Sequence, residues 1–191
     1  MRVGRVFAFS LLVVVVVGTG AGDAGAQAET ETETVHSGTE TFGDYVPCVS
    51  EFPSLEGYEI TVTFNGIEHF TGNKNGGHFT FTQTGTFSAV PVLLADADSD
   101  GEPDFDEETE SFVVAGPRAG ESFSGKFTVW GGGNFNRSGI HVFTFTFNAH
   151  GQGDDGTVVR FNSVDHITSE GDPEEDPDAV IKAAFSNARC H

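Results

Sequence analysis

The sequence predicts an all-β protein, an antiparallel up-and-down β-barrel of about six to eight strands. The first observation is a period of two in Gly76–Val90, where aromatic residues alternate with Thr and Ser. The second is that similar alternation recurs at 125–130 and 141–151. The third is that Gly-, Asn- and Asp-rich turns separate these segments, with no helical pattern long enough for a parallel crossover. A two-sheet β-sandwich is the alternative architecture.

The N-terminal part contains two segments that we expect to lie outside the folded domain. Residues 1–28 have two arginines, then the apolar run Val6–Val17, then small residues, which is typical of a secretory signal peptide. A retained N-terminal anchor is the alternative. Residues 29–44 form a polar leader with little to bury, which predicts disorder. The protein is therefore predicted to be secreted, with a single β-barrel domain at 45–191.

The charge of the chain restricts its partners. It has 29 Asp and Glu against 9 Lys and Arg, a formal net charge of −20. Such a surface repels nucleic acid and anionic membranes and attracts cations. We therefore expect no nucleic acid and no stable membrane anchor. A small apolar ligand or an extracellular partner remains open, and the oligomeric state is not predicted.

The first two predicted strands are long. Tyr58–Thr71 alternates apolar and polar residues, and Asn65-Gly66 inside it indicates either a tight hairpin or a bulge in one continuous strand. A turn at Gly72–Gly77 precedes the central strand, which continues to Leu94. Because 19 residues of the chain are Phe, the interior is expected to be either packed with rings or open to a small apolar ligand.

Further strands are predicted beyond an acidic loop at 95–110. They are Ser111–Ala115, Glu121–Trp130, Ile140–His150 and Thr157–Thr168. The glycine-rich Gly131–Asn134 is expected to be flexible. The last segment, Ala179–Cys190, is predicted to be a strand, with a helical turn at its start as the alternative.

The only two cysteines, Cys48 and Cys190, flank almost all of the predicted strands. In an exported protein, such a pair is expected to form a disulfide. The bond would join the start of the domain to its last residues. In the chain-entropy model, closing so long a loop stabilises a protein by about 4–5 kcal/mol. The alternative is two free thiols or a bond to a partner.

The acidic loop carries the clearest chemical signal. From Asp96 to Glu107, acidic residues occupy positions 1, 3, 5, 9 and 12, with Gly101 at position 6. This spacing matches calcium loops, in which alternate residues direct hard oxygen ligands to one ion. The alternative is a solvated acidic insertion. The predicted Ca²⁺ ligands are the side chains of Asp96, Asp98, Asp100, Asp104 and Glu107, and the backbone carbonyl of Glu102.

Two features distinguish this loop from an EF-hand. Its flanks, Val90–Leu94 and Ser111–Ala115, have extended rather than helical patterns, and Pro103 occupies position 8. Asp-Gly-Glu-Pro-Asp at 100–104 instead resembles the calcium loops of thrombospondin type 3 repeats. That resemblance implies the same six ligands. Such repeats normally occur in series, whereas this chain has one copy.

The strand sequences also resemble those of other proteins. HFTFTQTGTF at 78–87, FTVW at 127–130 and FTFNAHG at 145–151 resemble a loosely defined group of small secreted bacterial β-proteins rich in Phe and Thr. The resemblance covers residues 59–166. It implies an exported β fold and no particular activity.

No catalytic residues are predicted. The chain has no G-x-S-x-G motif, and none of its 7 histidines has the spacing of a metal site. Glu68 and Asp165 are inward carboxylates that could form an acid–base pair in a barrel mouth. Trp130 indicates either a sugar platform or an aromatic ring packed at a strand end. Besides a calcium-binding barrel, the functional hypotheses are a carbohydrate- or protein-binding module and an enzyme acting on a hydrophobic substrate.

Overall fold

The computed structural model describes residues 29–50, 53–73, 75–136, 138–170 and 180–191. The predicted signal peptide at 1–28 lies outside these residues. All the regular structure within them is extended, which confirms the all-β fold class. Among the described residues, no helix is long and apolar enough to cross a membrane.

Ten strands form one antiparallel sheet. In chain order they are β1 (Glu29–Asp44), β2 (Glu56–Asn73), β3 (Gly76–Leu94), β4 (Phe105–Asp106), β5 (Ser111–Phe112), β6 (Val114–Pro117), β7 (Phe123–Asn136), β8 (Ile140–Gly153), β9 (Val158–Glu170) and β10 (Val180–Cys190). Their order across the sheet is β10-β9-β8-β7-β3-β2-β1-β5-β4, and β6 pairs with the end of β3. Apart from the short strands β4–β6, each strand lies beside its neighbour in sequence, as an up-and-down order predicts.

The sheet is open, so the predicted closure into a barrel is corrected. Closure would require backbone hydrogen bonds between β1 and β10, and the described residues contain none. The outer edge of β1 is instead occupied at its end, where Gly43 pairs with Phe112 of β5. The segment between β3 and β7 therefore covers part of the edge that a barrel would need.

A disulfide joins the two sides of this open sheet. Cys48 follows β1, and Cys190 is the last residue of β10. Their Cα atoms lie 5.7 Å apart, although 142 residues separate them in sequence. The bond confirms the predicted pairing. It links the outermost long strands covalently at a place where the backbone does not link them.

Residues 29–44 form β1 instead of the expected disordered leader. The strand pairs with β2 from Glu29, opposite Gly72, to Asp44, opposite Tyr58. Its alternating Thr and Glu residues suit a strand, because the Thr side chains meet polar partners on β2. The hydroxyls of Thr41 and Thr61, for example, lie 3.0 Å apart. Two apolar side chains of β1, Val35 and Phe42, pack against the core.

The Asn65-Gly66 signal corresponds to a bulge and not to a hairpin. β2 runs through both residues without interruption, and the irregularity lies in its partner, between Val35 and Gly38 of β1. Ser37 there has a φ of 54°. Its backbone N–H donates to the side-chain oxygen of Asn65 at 3.1 Å.

The inner face of the sheet forms the main core. Its buried rings come from five adjacent strands: Tyr58, Phe64, Phe81, Phe123, Phe127, Phe147 and Phe161. The strands approach closely at Gly85 and Gly125, where a Cβ would lie 2.2 Å from the carbonyl oxygens of Thr63 and His150, respectively. No side chain fits at these two positions unless the backbone shifts.

Rings fill most of the space inside the main core. Gly131 belongs to β7 and not to a flexible segment. The ring of Phe81 occupies the space where a side chain would lie, because a Cβ added to Gly131 would be 2.5 Å from that ring. The cavity between the rings measures about 30 Å³. That volume holds about one water molecule, whereas ligand pockets occupy roughly 300–1,000 Å³. The structure therefore favours the packed interior.

A separate small core lies at the end of β3. It consists of Tyr45, Val92 and Leu94, with Phe112 and Val114 packed against it. The Tyr45 hydroxyl donates to the carbonyl oxygen of Ser54. This small core supports the acidic loop.

Candidate metal centre

The acidic loop is closed at its base by backbone hydrogen bonds. The N–H of Ala95 donates to the carbonyl oxygen of Val113, and the N–H of Asp104 donates to that of Ala95, both at 2.8 Å. Phe112 of β5 lies below, with its ring centroid 5.2 Å from that of Tyr45. Both ends of the loop are thus attached to the small core. Strands and not helices flank the loop, as its sequence predicts.

The side chains of the loop hold its own backbone. The two carboxylate oxygens of Asp96 accept hydrogen bonds from the N–H groups of Asp100 and Gly101, both at 3.1 Å. Asp100 in turn accepts one from the N–H of Glu102 at 2.8 Å. Gly101 has a φ of +87°, a conformation that favours glycine. The chain therefore turns sharply at position 6, as the calcium-loop pattern requires.

Three of the predicted ligands converge. One carboxylate oxygen from each of Asp96, Asp98 and Asp100 lies within 4.8 Å of the others. Asp96 is partly buried, and the other two are exposed. Within the described residues, no Lys or Arg forms a salt bridge with any of the three. The cluster concentrates negative charge and could hold a metal ion.

The carboxylates of Asp104 and Glu107 are not part of this converging group. Asp104 lies at the base of the loop, where its carboxylate accepts a hydrogen bond from the N–H of Ala97 at 3.0 Å. Glu102 is exposed. Glu107 lies in the turn between β4 and β5, which is fixed by pairing of Phe105 with Phe112. The structure thus brings together positions 1, 3 and 5 of the predicted ligand pattern, without the side chain of position 12.

Histidine does not contribute to the metal centre. Within the described residues, the aspartate cluster is the only group of His, Cys, Asp and Glu side chains close enough to share an ion. Two of the strand histidines hydrogen-bond to threonines on neighbouring strands instead. The Nδ1 atoms of His69 and His166 lie 2.9 Å from the hydroxyls of Thr32 and Thr144, respectively.

The two inward carboxylates lie in one row on the inner face, but three strands separate them. From Glu68, the row passes through Phe81, Gly131 and Phe145 to Asp165. The carboxylate directly opposite Glu68 is that of Glu33 on β1. Burial raises the pKa of Glu68, and the Glu33 carboxylate raises it further. The sequence analysis missed this pair because it treated β1 as disordered.

Trp130 lies on the outer face of β7, away from both cores. It occupies the middle of the strand, between Thr82 of β3 and Thr146 of β8. Its side chain is 49 % exposed. The interpretation as a ring packed at a strand end therefore does not fit, and the sugar-platform interpretation stays open.

No protein-family model, curated protein or solved structure matches this chain. The resemblance of residues 100–104 to thrombospondin type 3 loops therefore stays a prediction. The same holds for the resemblance of the strands to secreted Phe- and Thr-rich proteins.

Proposed function

We propose that this chain is an exported β-sheet protein whose acidic loop binds one Ca²⁺ ion. The observation that carries the proposal is the convergence of the Asp96, Asp98 and Asp100 carboxylates within 4.8 Å. Carboxylate oxygens are hard ligands, which suit Ca²⁺, Mg²⁺ or Mn²⁺ better than zinc or copper. Ca²⁺ accepts six to eight oxygens in irregular geometry, whereas Mg²⁺ demands a near-ideal octahedron. A short, exposed loop meets the first requirement more readily.

The remaining ligands are available close by. Asp104 lies at the base of the loop, where one of its carboxylate oxygens accepts the N–H of Ala97. The carbonyl of Glu102 follows directly after the turn at Gly101. Glu107 lies in the β4–β5 turn, outside the converging group. We therefore assign Asp96, Asp98 and Asp100 as the primary ligands.

The bound ion would fix the loop on the small core. Without an ion, repulsion among the three carboxylates opposes the closed arrangement of the loop. A bound divalent cation attracts all three carboxylates and so favours that arrangement. The chain has no Lys or Arg between residues 75 and 117 that could substitute for the ion. The disulfide is compatible with an oxidising, extracellular compartment. Extracellular calcium modules bind with Kd values of about 10⁻⁴–10⁻³ M, which we expect here.

Isothermal titration of the chelator-treated protein with Ca²⁺ tests the proposal. We expect one ion per chain, with weaker binding of Mg²⁺. Asp98→Lys should abolish binding, because it places an ammonium group among the remaining carboxylates. Asp154→Lys is the matched control, since Asp154 is an exposed aspartate in a turn far along the chain. Absence of binding by the unmodified protein, or equal loss in both variants, would refute the assignment.

Two of the other predicted functions, binding of a small apolar ligand and catalysis on a hydrophobic substrate, have less support. A small apolar ligand stays a prediction, because its binding would require the packed main core to open. An enzyme acting on a hydrophobic substrate would need a cleft between facing carboxylates. The row that contains Glu68 and Asp165 is instead occupied by the rings of Phe81 and Phe145.

A further inference from the structure

The outer face of the sheet carries a basic patch that the overall charge of the chain conceals. Lys126 lies opposite His150, and His150 lies opposite Arg160. The backbone of His191 continues this row, because its N–H donates to the carbonyl oxygen of Arg160 at 3.0 Å. Arg189 lies in the adjacent row, opposite Asn162. All five cationic or titratable side chains are exposed.

Within the part of the chain that the structure describes, these basic groups have no acidic partner in a salt bridge. Among the described residues, the salt bridges are those of Arg118 with Glu56 and of Lys182 with Glu170. Lys126, Arg160 and Arg189 form none. The chain has 29 acidic and 9 basic residues, so acidic partners are abundant. Within that described part, these cations nevertheless form no ion pair that would stabilise the fold. They provide a local surface with the opposite sign to the rest of the molecule.

Polar and aromatic groups extend the patch along the strands. The row next to the basic one consists of Thr128, Asn148, Asn162 and Arg189. The side-chain amide of Asn162 donates to that of Asn148, and both residues are exposed. The row beyond contains Trp130 and Thr146. A shallow, open depression lies between Lys126 and Arg160 and is also lined by Asn148 and Asn162.

We propose that this face, from Lys126 and Arg160 to Trp130, binds a polysaccharide that carries carboxylate or sulfate groups. Charge complementarity selects an anionic ligand, and the amides and hydroxyls of the middle row can hydrogen-bond to sugar hydroxyls. The flat, amphipathic ring of Trp130 offers an apolar surface to a sugar ring. Lys126 and Trp130 are four residues apart on one strand, or about 13 Å, so the ligand is an extended chain and not a single small anion.

A nucleic acid and a second copy of this chain are less suitable occupants. Single-stranded nucleic acid binds to platforms of successive aromatic rings, whereas the Trp130 row of this face continues through Thr146 to the exposed Val164 and offers no second ring. The acidic loop of another molecule would satisfy the charges but would leave Trp130 and the amide row unused. Long-range repulsion by the net charge of the protein is screened beyond about 8 Å at physiological salt.

Binding of three oligosaccharides to the full chain tests this proposal, with chelator present so that calcium does not bridge acidic groups. The probes are an oligogalacturonate, a sulfated heparin oligosaccharide and a neutral cello-oligosaccharide. We expect one or both anionic probes to bind and the neutral probe to bind at least tenfold more weakly. The stronger anionic probe identifies the charged group. The combined Lys126→Gln and Arg160→Gln variant should lose affinity by roughly tenfold or more, and Trp130→Ala should weaken binding without changing its salt dependence.

Lys182→Gln is the matched control, because Lys182 is an exposed lysine of the sheet that already pairs with Glu170. It should change affinity less than twofold, and the melting point of each variant verifies folding. Failure of both anionic probes to bind would overturn the proposal. Three other results would also overturn it: equal effects of Lys182→Gln and the combined Lys126→Gln and Arg160→Gln variant, tighter binding of an oligonucleotide, or self-association that the acidic-loop variant Asp98→Lys abolishes.

Discussion

The main core and the small core hold their polypeptide in different ways. In the main core, rings from adjacent strands pack in tilted pairs: the ring centroid of Phe147 lies 5.8 Å from that of Phe161 and 6.3 Å from that of Phe127. In the small core, a few apolar residues support a loop whose backbone is held by its own carboxylates. Packing stabilises the first without any ligand, whereas the second accumulates charge that a cation would neutralise. The sheet is therefore the scaffold, and the loop is the part that responds to solution conditions.

The largest expected effect comes from the main core. Phe147→Ala removes a ring that is 3 % exposed and should lower the free energy of unfolding by about 3–5 kcal/mol. Chemical denaturation measures the loss, with Thr146→Ala on the outer face of the same strand as the control. Calcium affinity of the folded fraction should not change, because the ring is remote from the loop. A parallel loss of calcium affinity would show that the two regions are not independent.

The disulfide is expected to have a slightly smaller effect. Replacing both Cys48 and Cys190 with Ser opens a loop with a sequence separation of 142 and should cost about 2–5 kcal/mol. Because the bond joins the outermost long strands, hydrogen exchange should increase most in β10, which pairs with β9 alone among the described strands. Unchanged denaturation midpoints would mean that the open sheet does not need this link.

A third effect concerns the junction of the two cores. Burial raises the pKa of Asp44 to about 6, and the hydrogen bond from the Tyr45 N–H opposes part of that increase. The folded state therefore binds this proton more tightly than the unfolded state. The resulting stability is fully present below about pH 4 and is lost as the pH rises through 6. Asp44→Asn should raise stability at pH 8 by about 1–3 kcal/mol.

Melting curves between pH 4 and 8 measure this difference. The melting temperature of Asp44→Asn should decline less with rising pH than that of the parent protein. Part of the decline should persist, because burial also raises the pKa values of Glu68 and Glu40. Asp154→Asn, at an exposed turn position, is the control and should melt like the parent protein. Identical pH profiles of the parent and Asp44→Asn would contradict the assignment of the proton to this carboxyl.

The strands were predictable because their information is local. A period of two over Gly76–Val90 needs no knowledge of the partner strand, and the cysteines could pair in only one way within a single chain. β1 was missed because its stability lies in its pairing with β2, which composition does not report. Gly131 was misjudged for a related reason, since the Phe81 ring that fills its space comes from another strand. Barrel closure depends on which strand covers the edge of β1, and no local pattern specifies that.

The acidic loop and the basic patch also differ in how far their geometry depends on local sequence. Asp96, Asp98 and Asp100 converge because alternate residues before a glycine turn direct their side chains to one centre. Position 12 is less local, since the place of Glu107 depends on the pairing of β4 with β5. The basic patch was not predicted because its residues come from β7, β8, β9 and β10. Only the register of those strands brings Lys126, His150 and Arg160 together.

Hydrogen–deuterium exchange with and without calcium tests the central claim most directly. The amides of Asp100, Gly101 and Glu102 donate to loop carboxylates, so an ion that fixes those carboxylates should slow their exchange. We predict that millimolar Ca²⁺ protects the segment between β3 and β6 and leaves β2, β7, β8 and β9 unchanged. Unchanged exchange in the loop at saturating Ca²⁺, or protection spread evenly over the sheet, would contradict the proposed calcium site.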